Sequence, residues 1–164
     1  TYPVGEDGVS QEVIFGEGFP TENGRGKFLP ADVLPPDEVP DADYPLILTT
    51  GRILEHWHTG AMTRRSDVLD RIEPEATANL SPRELGRREI KPGDTIRIET
   101  RRGAIVLKAR ADRDVPEGMV FIPFCYVEAA ANLLTNPALD PFGKIPEFKF
   151  CAARVSAVAS VAAE

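Results

Sequence analysis

The residues best suited to binding or catalysis lie in one segment, Thr50–Thr59, which holds both histidines and the only tryptophan. It follows a short apolar run, Leu46–Thr50, that predicts a buried strand ending at a tight loop. Binding residues gather in such loops because a rigid strand positions them. Gly51 lets backbone N–H groups approach a ligand closely, and Arg52 offers a planar fork for phosphate or carboxylate. From these residue types alone, an anion-binding loop and a purely structural loop remain equally open.

The histidines and cysteines do not by themselves indicate a metal or nucleophilic site. His56 and His58 would share a face on a strand, but a zinc site needs three or four protein ligands and there is no third histidine. Cys125 and Cys151 lie far downstream without ligand spacing, so we expect reduced, packed thiols. No serine elbow, P-loop or Gly-x-Gly-x-x-Gly fingerprint occurs. Burial statistics favour a core position for Trp57 over a ligand platform.

A second set of polar residues lies among aromatic and apolar ones near the carboxyl end. Asn132 interrupts the apolar run Ala129–Leu134, which predicts a short helix, and this asparagine could simply bond to backbone. Lys149 lies between two phenylalanines, so on a strand it would face away from them, and an exposed, solubilising lysine is its ordinary interpretation. Neither residue alone indicates a ligand.

Composition excludes some classes of partner. The net charge of -7 and the pI of about 5.0 argue against nucleic acid, which needs clustered positive charge. The arginine pairs 64–65, 87–88 and 101–102 form no basic stripe, and we interpret them as solvated surface. No run of about 18 apolar residues occurs, so we expect no membrane insertion. No signal peptide is visible at Thr1, and the missing initiator methionine suggests an excised piece.

More strands than helices are predicted, after a lead-in of different composition. Residues 1–43 are rich in glycine, proline and acids, which predicts a flexible lead-in or linker from a preceding domain, whereas the core pattern begins at Tyr44. Ser81–Glu84 predicts a capping box at a helix start. Strands are predicted at 95–100, 104–111 and 119–123 and near 150–158. The coarse class is a β-rich barrel with small helical excursions, and spacing does not distinguish barrel topologies.

Long motifs in the chain resemble a known family. The segment Thr50–Arg65, TGRILEHWHTGAMTRR, closely resembles the dinucleotide-binding loop of the molybdopterin oxidoreductases. Residues Ala129–Ala152 resemble the closing segment of formate dehydrogenase large subunits, and Gly24–Pro30 looks like the family's stretch before this domain. The hairpin residues Lys91–Asp94 and Arg101–Gly103 also fit. The likeness covers roughly residues 44 to 156.

The resemblance implies a double-psi β-barrel over residues 44–164. It implies a bis-molybdopterin guanine dinucleotide cofactor, carrying molybdenum or tungsten, held across several domains of a cytoplasmic formate dehydrogenase. The remaining domains of the same large subunit and the electron-transfer subunits would be partners. Phe124 would lie near the pterin or substrate end. The cofactor-binding residues implied by the motif match are Thr50, Gly51, Arg52, Ile53, Leu54, Glu55, His56, Trp57, His58, Thr59, Phe124, Asn132 and Lys149.

The resemblance also implies what this chain leaves to other domains. In the family, the cysteine or selenocysteine that binds the metal, the iron–sulfur ligands and the catalytic histidine and arginine lie upstream. This domain would therefore bind no metal directly and would be inactive alone, orienting the cofactor instead. Two alternatives stay open: the same domain of a periplasmic nitrate reductase, and a freestanding β-barrel interaction module without cofactor. The segment from Asn132 to Lys149 favours formate dehydrogenase.

Overall fold

The computed structural model describes residues 2–158, and the chain divides into two units. The first ends at Pro35. Within it, turns dominate, an isolated bridge pairs Val4 with Ser10, and the rings of Phe15 and Phe19 stack with centroids 5.2 Å apart. The second unit begins at Pro36, whereas the sequence placed the start of the barrel at residue 44. That domain boundary stays a prediction, and its end at Glu164 lies outside the described residues.

Six strands of the second unit close into a barrel, which confirms the prediction of a mainly β, double-psi-type barrel. Around the barrel the order is β1-β5-β2-β4-β3-β6; β1 runs parallel to β5 and β2 parallel to β4, and the other pairs are antiparallel. Closure gives each of the six described strands a neighbour on both sides. The strands are β1 (Leu46–Gly51), β2 (Thr77–Leu80), β3 (Thr95–Glu99), β4 (Ala104–Ala111), β5 (Met119–Pro123) and β6 (Cys151–Ala157).

The barrel interior is filled by alternate residues of each strand. Ile96 and Ile98 of β3 are fully buried, as the predicted alternation requires, and Leu48 and Ile122 meet them from β1 and β5. Both cysteines are buried in this core and are not joined to each other, which confirms the expectation that they are packed; their reduced state stays a prediction. The core therefore fixes the ends of β1 and β5, from which the candidate site extends.

Helical structure is short and differs from the sequence-based prediction in two places. The described part of the chain has two α-helices, α1 (Asp67–Ile72) and α2 (Pro82–Arg87), and α1 was not predicted. The single helix predicted at Ala129–Leu134 is wrong, because two 3-10 turns meet at an extended Ala130. No helix among residues 2–158 is long and apolar enough to cross a membrane.

The predicted capping box at α2 is half formed. The Glu84 N–H donates to Ser81 Oγ over 3.2 Å, as expected. The Glu84 carboxylate does not return to Ser81; it accepts the Gly118 N–H at 3.1 Å and pairs with Arg87 and Arg88. Burial opposes ionisation of Glu84, but the hydrogen bonds from Arg88 and Gly118 outweigh it and hold its pKa below the ordinary value.

Candidate cofactor-binding site

The end of β1 packs so closely against its neighbour that a larger residue at Gly51 would have to displace a side chain. A Cβ on Gly51 would lie 2.4 Å from the Phe121 ring of the neighbouring β5. The Gly51 carbonyl also accepts the Phe124 N–H at 3.1 Å, which continues the β1–β5 pairing by one bond. Gly51 is buried, so its first role is to let two strand ends meet.

Thr50 and Lys149 tie the closing segment to the end of β1. The Thr50 hydroxyl donates to the Phe148 carbonyl at 2.9 Å, and the Lys149 ammonium donates to the Thr50 carbonyl. Lys149 precedes β6 and is not on a strand, so the strand-face interpretation of this residue is wrong. The residue is exposed, but its ammonium is held in place. The two bonds make residues 50 and 149, 99 positions apart, parts of one site.

Phe124 lies at the centre of the predicted site residues. The His58 ring meets it edge-on with centroids 5.3 Å apart, and the Lys149 ammonium lies 6.0 Å from its ring centroid. His58 has φ of 50°, the left-handed region that non-glycine residues rarely occupy. The structure therefore brings together three residues that the sequence predicts from three separate segments.

His56 is buried and anchors the loop, in contrast to the exposed His58. Its Nε2 lies 2.9 Å from the Glu73 carbonyl, which also accepts the Tyr126 hydroxyl at 3.0 Å. A carbonyl accepts only, so Nε2 carries a hydrogen and donates it. Nδ1 is buried and has no hydrogen-bond partner among the described residues. This segment is a loop, so the two histidines do not share a face.

Most of the remaining loop side chains face solvent. Trp57 is 69% exposed, so the expectation of a core position is wrong; its backbone is held instead, by bonds to Thr63 Oγ1 and Gly60 N at 2.9 Å each. Ile53 packs against the core, and Glu55 is half-buried. The predicted site residues with exposed side chains in this loop are Arg52, Leu54, Trp57, His58 and Thr59.

A cleft of about 570 Å³ lies beside the loop. Thr59, Phe124 and Asn132 line it, so it unites the loop after β1, the segment after β5 and the 3-10 turn Ala131–Leu133. Gly60, with φ of 73°, forms part of the wall: a Cβ there would lie 2.8 Å from Arg64 Cγ and 2.9 Å from the Cys125 carbonyl. At Gly60 the wall of the cleft is therefore too tightly packed to accept a side chain without movement of its neighbours.

Arg64 holds the cleft together. It pairs with Asp70 at 3.0 Å and with Glu128 at 2.7 Å, and its guanidinium lies 4.6 Å above the Tyr126 ring. Cys125 also lines the cleft, but burial raises the pKa of its thiol, so it stays protonated near neutral pH and is a poor nucleophile.

Sequence reasoning missed Arg65, which lines the same cleft. It also interpreted all three arginine pairs as solvated surface, whereas five of these six residues form ion pairs: Arg64, Arg87, Arg88, Arg101 and Arg102. The signal that could have singled out Arg65 was its position at the end of the resembling motif Thr50–Arg65.

The residues present fit a phosphorylated dinucleotide. Such a ligand needs donors for its phosphates and polar partners for its rings. The side chains of Arg52, Thr59, Arg65 and Asn132 have no hydrogen-bond or ion-pair partner within residues 2–158, and Thr59, Arg65 and Asn132 line the cleft. No group of three or more metal-ligating side chains occurs in that part of the chain.

A small closed barrel with a loop-lined, donor-rich cleft defines a ligand-binding domain. Residues 46–152 match the family described as the molydopterin dinucleotide binding domain. The chain belongs to this family.

The relatives share this domain at substantial identity. The chain is 43% identical over 153 residues to the F420-dependent formate dehydrogenase subunit alpha of Methanocaldococcus jannaschii, covering 93% of this chain and 23% of that protein. It is 44% identical over 138 residues to the F420-dependent formate dehydrogenase 1 subunit alpha of Methanococcus maripaludis, covering 84% and 20%. The chain thus spans about a fifth of the length of the curated relatives it matches.

One solved structure shows the same fold. Acetylene hydratase from Pelobacter acetylenicus superimposes with a TM-score of 0.64 at 21% identity, over 70% of this chain and 18% of that one. At that identity the likeness concerns the fold alone.

Proposed function

We propose that this chain binds and orients molybdopterin guanine dinucleotide, as the carboxy-terminal domain of a formate dehydrogenase that oxidises formate to CO2. The observation that carries the proposal is the convergence of three predicted segments at one cleft, where the side chains of Thr59, Arg65 and Asn132 have no hydrogen-bond or ion-pair partner within residues 2–158. The identity of 40–44% to formate dehydrogenase alpha subunits supports the choice of enzyme.

Each side chain has a role that follows from its contacts. Arg52 and Thr59, exposed and unpaired among the described residues, donate to phosphate oxygens. The Asn132 amide bonds to a polar ring edge of the ligand. Phe124, flanked by His58 and Lys149, offers an aromatic face at the same place.

Anchoring residues keep these donors in position. His56, Thr50 and Gly51 are buried and hold the loop against Glu73, Phe148 and Phe121, so their contribution is preorganisation. When bound, the cofactor supplies the molybdenum or tungsten and the redox chemistry. The remaining domains of the large subunit supply the metal ligand and catalytic residues, and electron-transfer subunits accept the electrons. We place the protein in the cytoplasm, which its two free thiols support.

The proposal is tested by titrating the ¹⁵N-labelled chain with molybdopterin guanine dinucleotide released anaerobically from a purified molybdoenzyme. We expect amide shifts at Gly51–Thr59, Asn132 and Lys149, with strands β3 and β4 unaffected. Shifts confined to other surfaces, or none at all, would overturn cofactor binding by this chain and support the freestanding interaction module.

A further inference from the structure

Arginine pairing singles out one residue of the cleft. The three Arg-Arg pairs of the chain lie at 64–65, 87–88 and 101–102. In the last two, both members form ion pairs with carboxylates of the same chain. In the first, Arg64 does so, but Arg65 has no ion-pair, hydrogen-bond or ring partner for its guanidinium within residues 2–158. Arg65 therefore differs from the other five arginines of these pairs in leaving its charge available.

Arg65 lies where its unpaired guanidinium can contact a ligand in the cleft. It ends the 3-10 turn Thr63–Arg65, its backbone N–H bonds to the Met62 carbonyl at 3.1 Å, and it lines the cleft. The other two charged residues that line the cleft pair with each other, because Arg64 Nη1 donates to both Glu128 carboxylate oxygens at 2.7 and 2.8 Å, and Arg64 also pairs with Asp70. Of the charged residues lining the cleft, Arg65 is thus the one whose guanidinium has no carboxylate partner within residues 2–158, although the chain carries -7 overall.

The rest of the lining limits what this charge can bind. Thr59 adds a hydroxyl donor and Asn132 an amide, while Phe124, Ala130 and Ala131 supply apolar wall. A guanidinium fork beside a hydroxyl suits phosphate oxygens, and an apolar wall suits the rest of a nucleotide. A simple carboxylate would use the fork and leave most of the 570 Å³ unfilled.

We propose that Arg65 is a further ligand-binding residue of this cleft and binds the diphosphate oxygens of a nucleoside diphosphate moiety. The inference rests on the proposed function, since the cofactor's guanine dinucleotide contains that moiety. Arg64 is not available for the same role, because its guanidinium already pairs with Asp70 and Glu128 and lies over the Tyr126 ring. Arg64 therefore stabilises the wall of the cleft, and Arg65 binds the ligand.

The test uses three probes that separate the parts of the ligand: GDP, inorganic pyrophosphate and guanosine. Their dissociation constants are measured by NMR titration at low salt for the wild-type chain, Arg65→Gln and Arg113→Gln. Arg113 is the matched control, since it is exposed, unpaired within the described residues and absent from the cleft lining. We expect Arg65→Gln to weaken GDP and pyrophosphate binding by about 10-fold, the lower range for a charged hydrogen bond. Guanosine binding and the melting temperature should not change.

The outcomes separate this inference from the proposed function. Unchanged GDP affinity in Arg65→Gln, with the cofactor still shifting the Gly51–Thr59 amides, overturns the role of Arg65 and leaves cofactor binding intact. An equal loss in Arg113→Gln also overturns it, because the effect would then be general charge. A wild-type chain that binds neither the cofactor nor GDP overturns both. Arg65→Lys, which keeps the charge but loses the fork, should recover part of the affinity.

Discussion

Two arginine pairs of the barrel domain, at the β3–β4 turn and at the edge of the cleft, are used differently. At the turn, Arg101 and Arg102 share the Glu38 carboxylate, and Arg101 also pairs with Asp41. At the cleft, both nearby carboxylates pair with Arg64, and Arg65 is left over. Each pair has two carboxylates within reach, and the difference lies in how these are shared. At the turn the two carboxylates are divided between both arginines, whereas at the cleft Arg64 takes both and leaves the Arg65 guanidinium for a ligand.

The turn also fixes the start of the closing segment. The Leu134 carbonyl accepts hydrogen bonds from Thr100 Oγ1 at 2.9 Å and from the Arg102 guanidinium at 3.0 Å. Beyond it, Asn136 Nδ2 donates to Glu147 at 2.9 Å. These bonds position the loop that leads to Lys149. Arg101 and Arg102 therefore influence the site only indirectly, through the position of this loop.

The largest effect should follow loss of Arg102. Arg102→Met leaves the nearly buried Glu38 with one partner fewer and removes donors from the Leu134 carbonyl. We expect the free energy of unfolding to fall by about 2–3 kcal/mol, as when a largely buried pair is broken. Urea denaturation measures this, with Arg97→Met, whose one ion pair is half-exposed, as the control. An equal fall in the free energy of unfolding of both variants would contradict a special stabilising role for the ion pairs of this turn.

Loss of Arg64 should cost less stability but change the cleft. Arg64→Met removes ion pairs to Asp70 and Glu128 that are partly exposed, so we expect about 1–2 kcal/mol. The freed Glu128 places a negative charge in the cleft, and GDP binding should weaken as well. Denaturation and GDP titration of the same variant check both effects. A variant with full GDP affinity would contradict the division of labour between Arg64 and Arg65.

The pair Arg87–Arg88 predicts a pH dependence. Although burial opposes ionisation of Glu84, the hydrogen bonds it accepts from Arg88 and from the Gly118 N–H hold its folded pKa below the ordinary value of 4.5. Ionised Glu84 therefore stabilises the fold above about that pH. The stabilisation is lost as the pH falls through the lowered pKa. Unfolding free energies measured in acid should therefore fall less steeply for Glu84→Gln than for the wild-type chain. Parallel curves would contradict the assignment.

The smallest effect on stability should come from Arg65. Arg65→Met breaks no ion pair or side-chain hydrogen bond among the described residues, so the free energy of unfolding should change by less than about 0.5 kcal/mol. The same denaturation measurement used for Arg64→Met checks it. A loss as large as that of Arg64→Met would mean that Arg65 is structural.

Local patterns in the sequence predicted much of the barrel. Alternation at Ile96 and Ile98, the strand ending at Gly51 and the cap at Ser81 each depend on neighbouring residues, and all three are present. β2 was missed because four residues, Thr77–Leu80, carry too little pattern. The site residues Phe124, His58 and Lys149 were implied by family resemblance, and no spacing rule would have joined them.

What the sequence could not predict is which charges pair. Arg64 meets Glu128 across 64 positions, and Arg101 meets Glu38 across 63. Such partners are set by the closed barrel, which no local window contains. The exposure of Trp57 has the same origin, because its backbone bonds to Thr63 and Gly60 turn the side chain outward against its usual preference.

The most direct test of the central claim compares the two arginine pairs in one experiment. The Nε–Hε signals of the arginines are followed in the ¹⁵N-labelled chain as GDP is added. We predict that the signal of Arg65 shifts with the dissociation constant of GDP, while those of Arg101 and Arg102 stay in place. Shifts at Arg101 and Arg102, or an unmoved Arg65 signal at saturating GDP, would contradict the account.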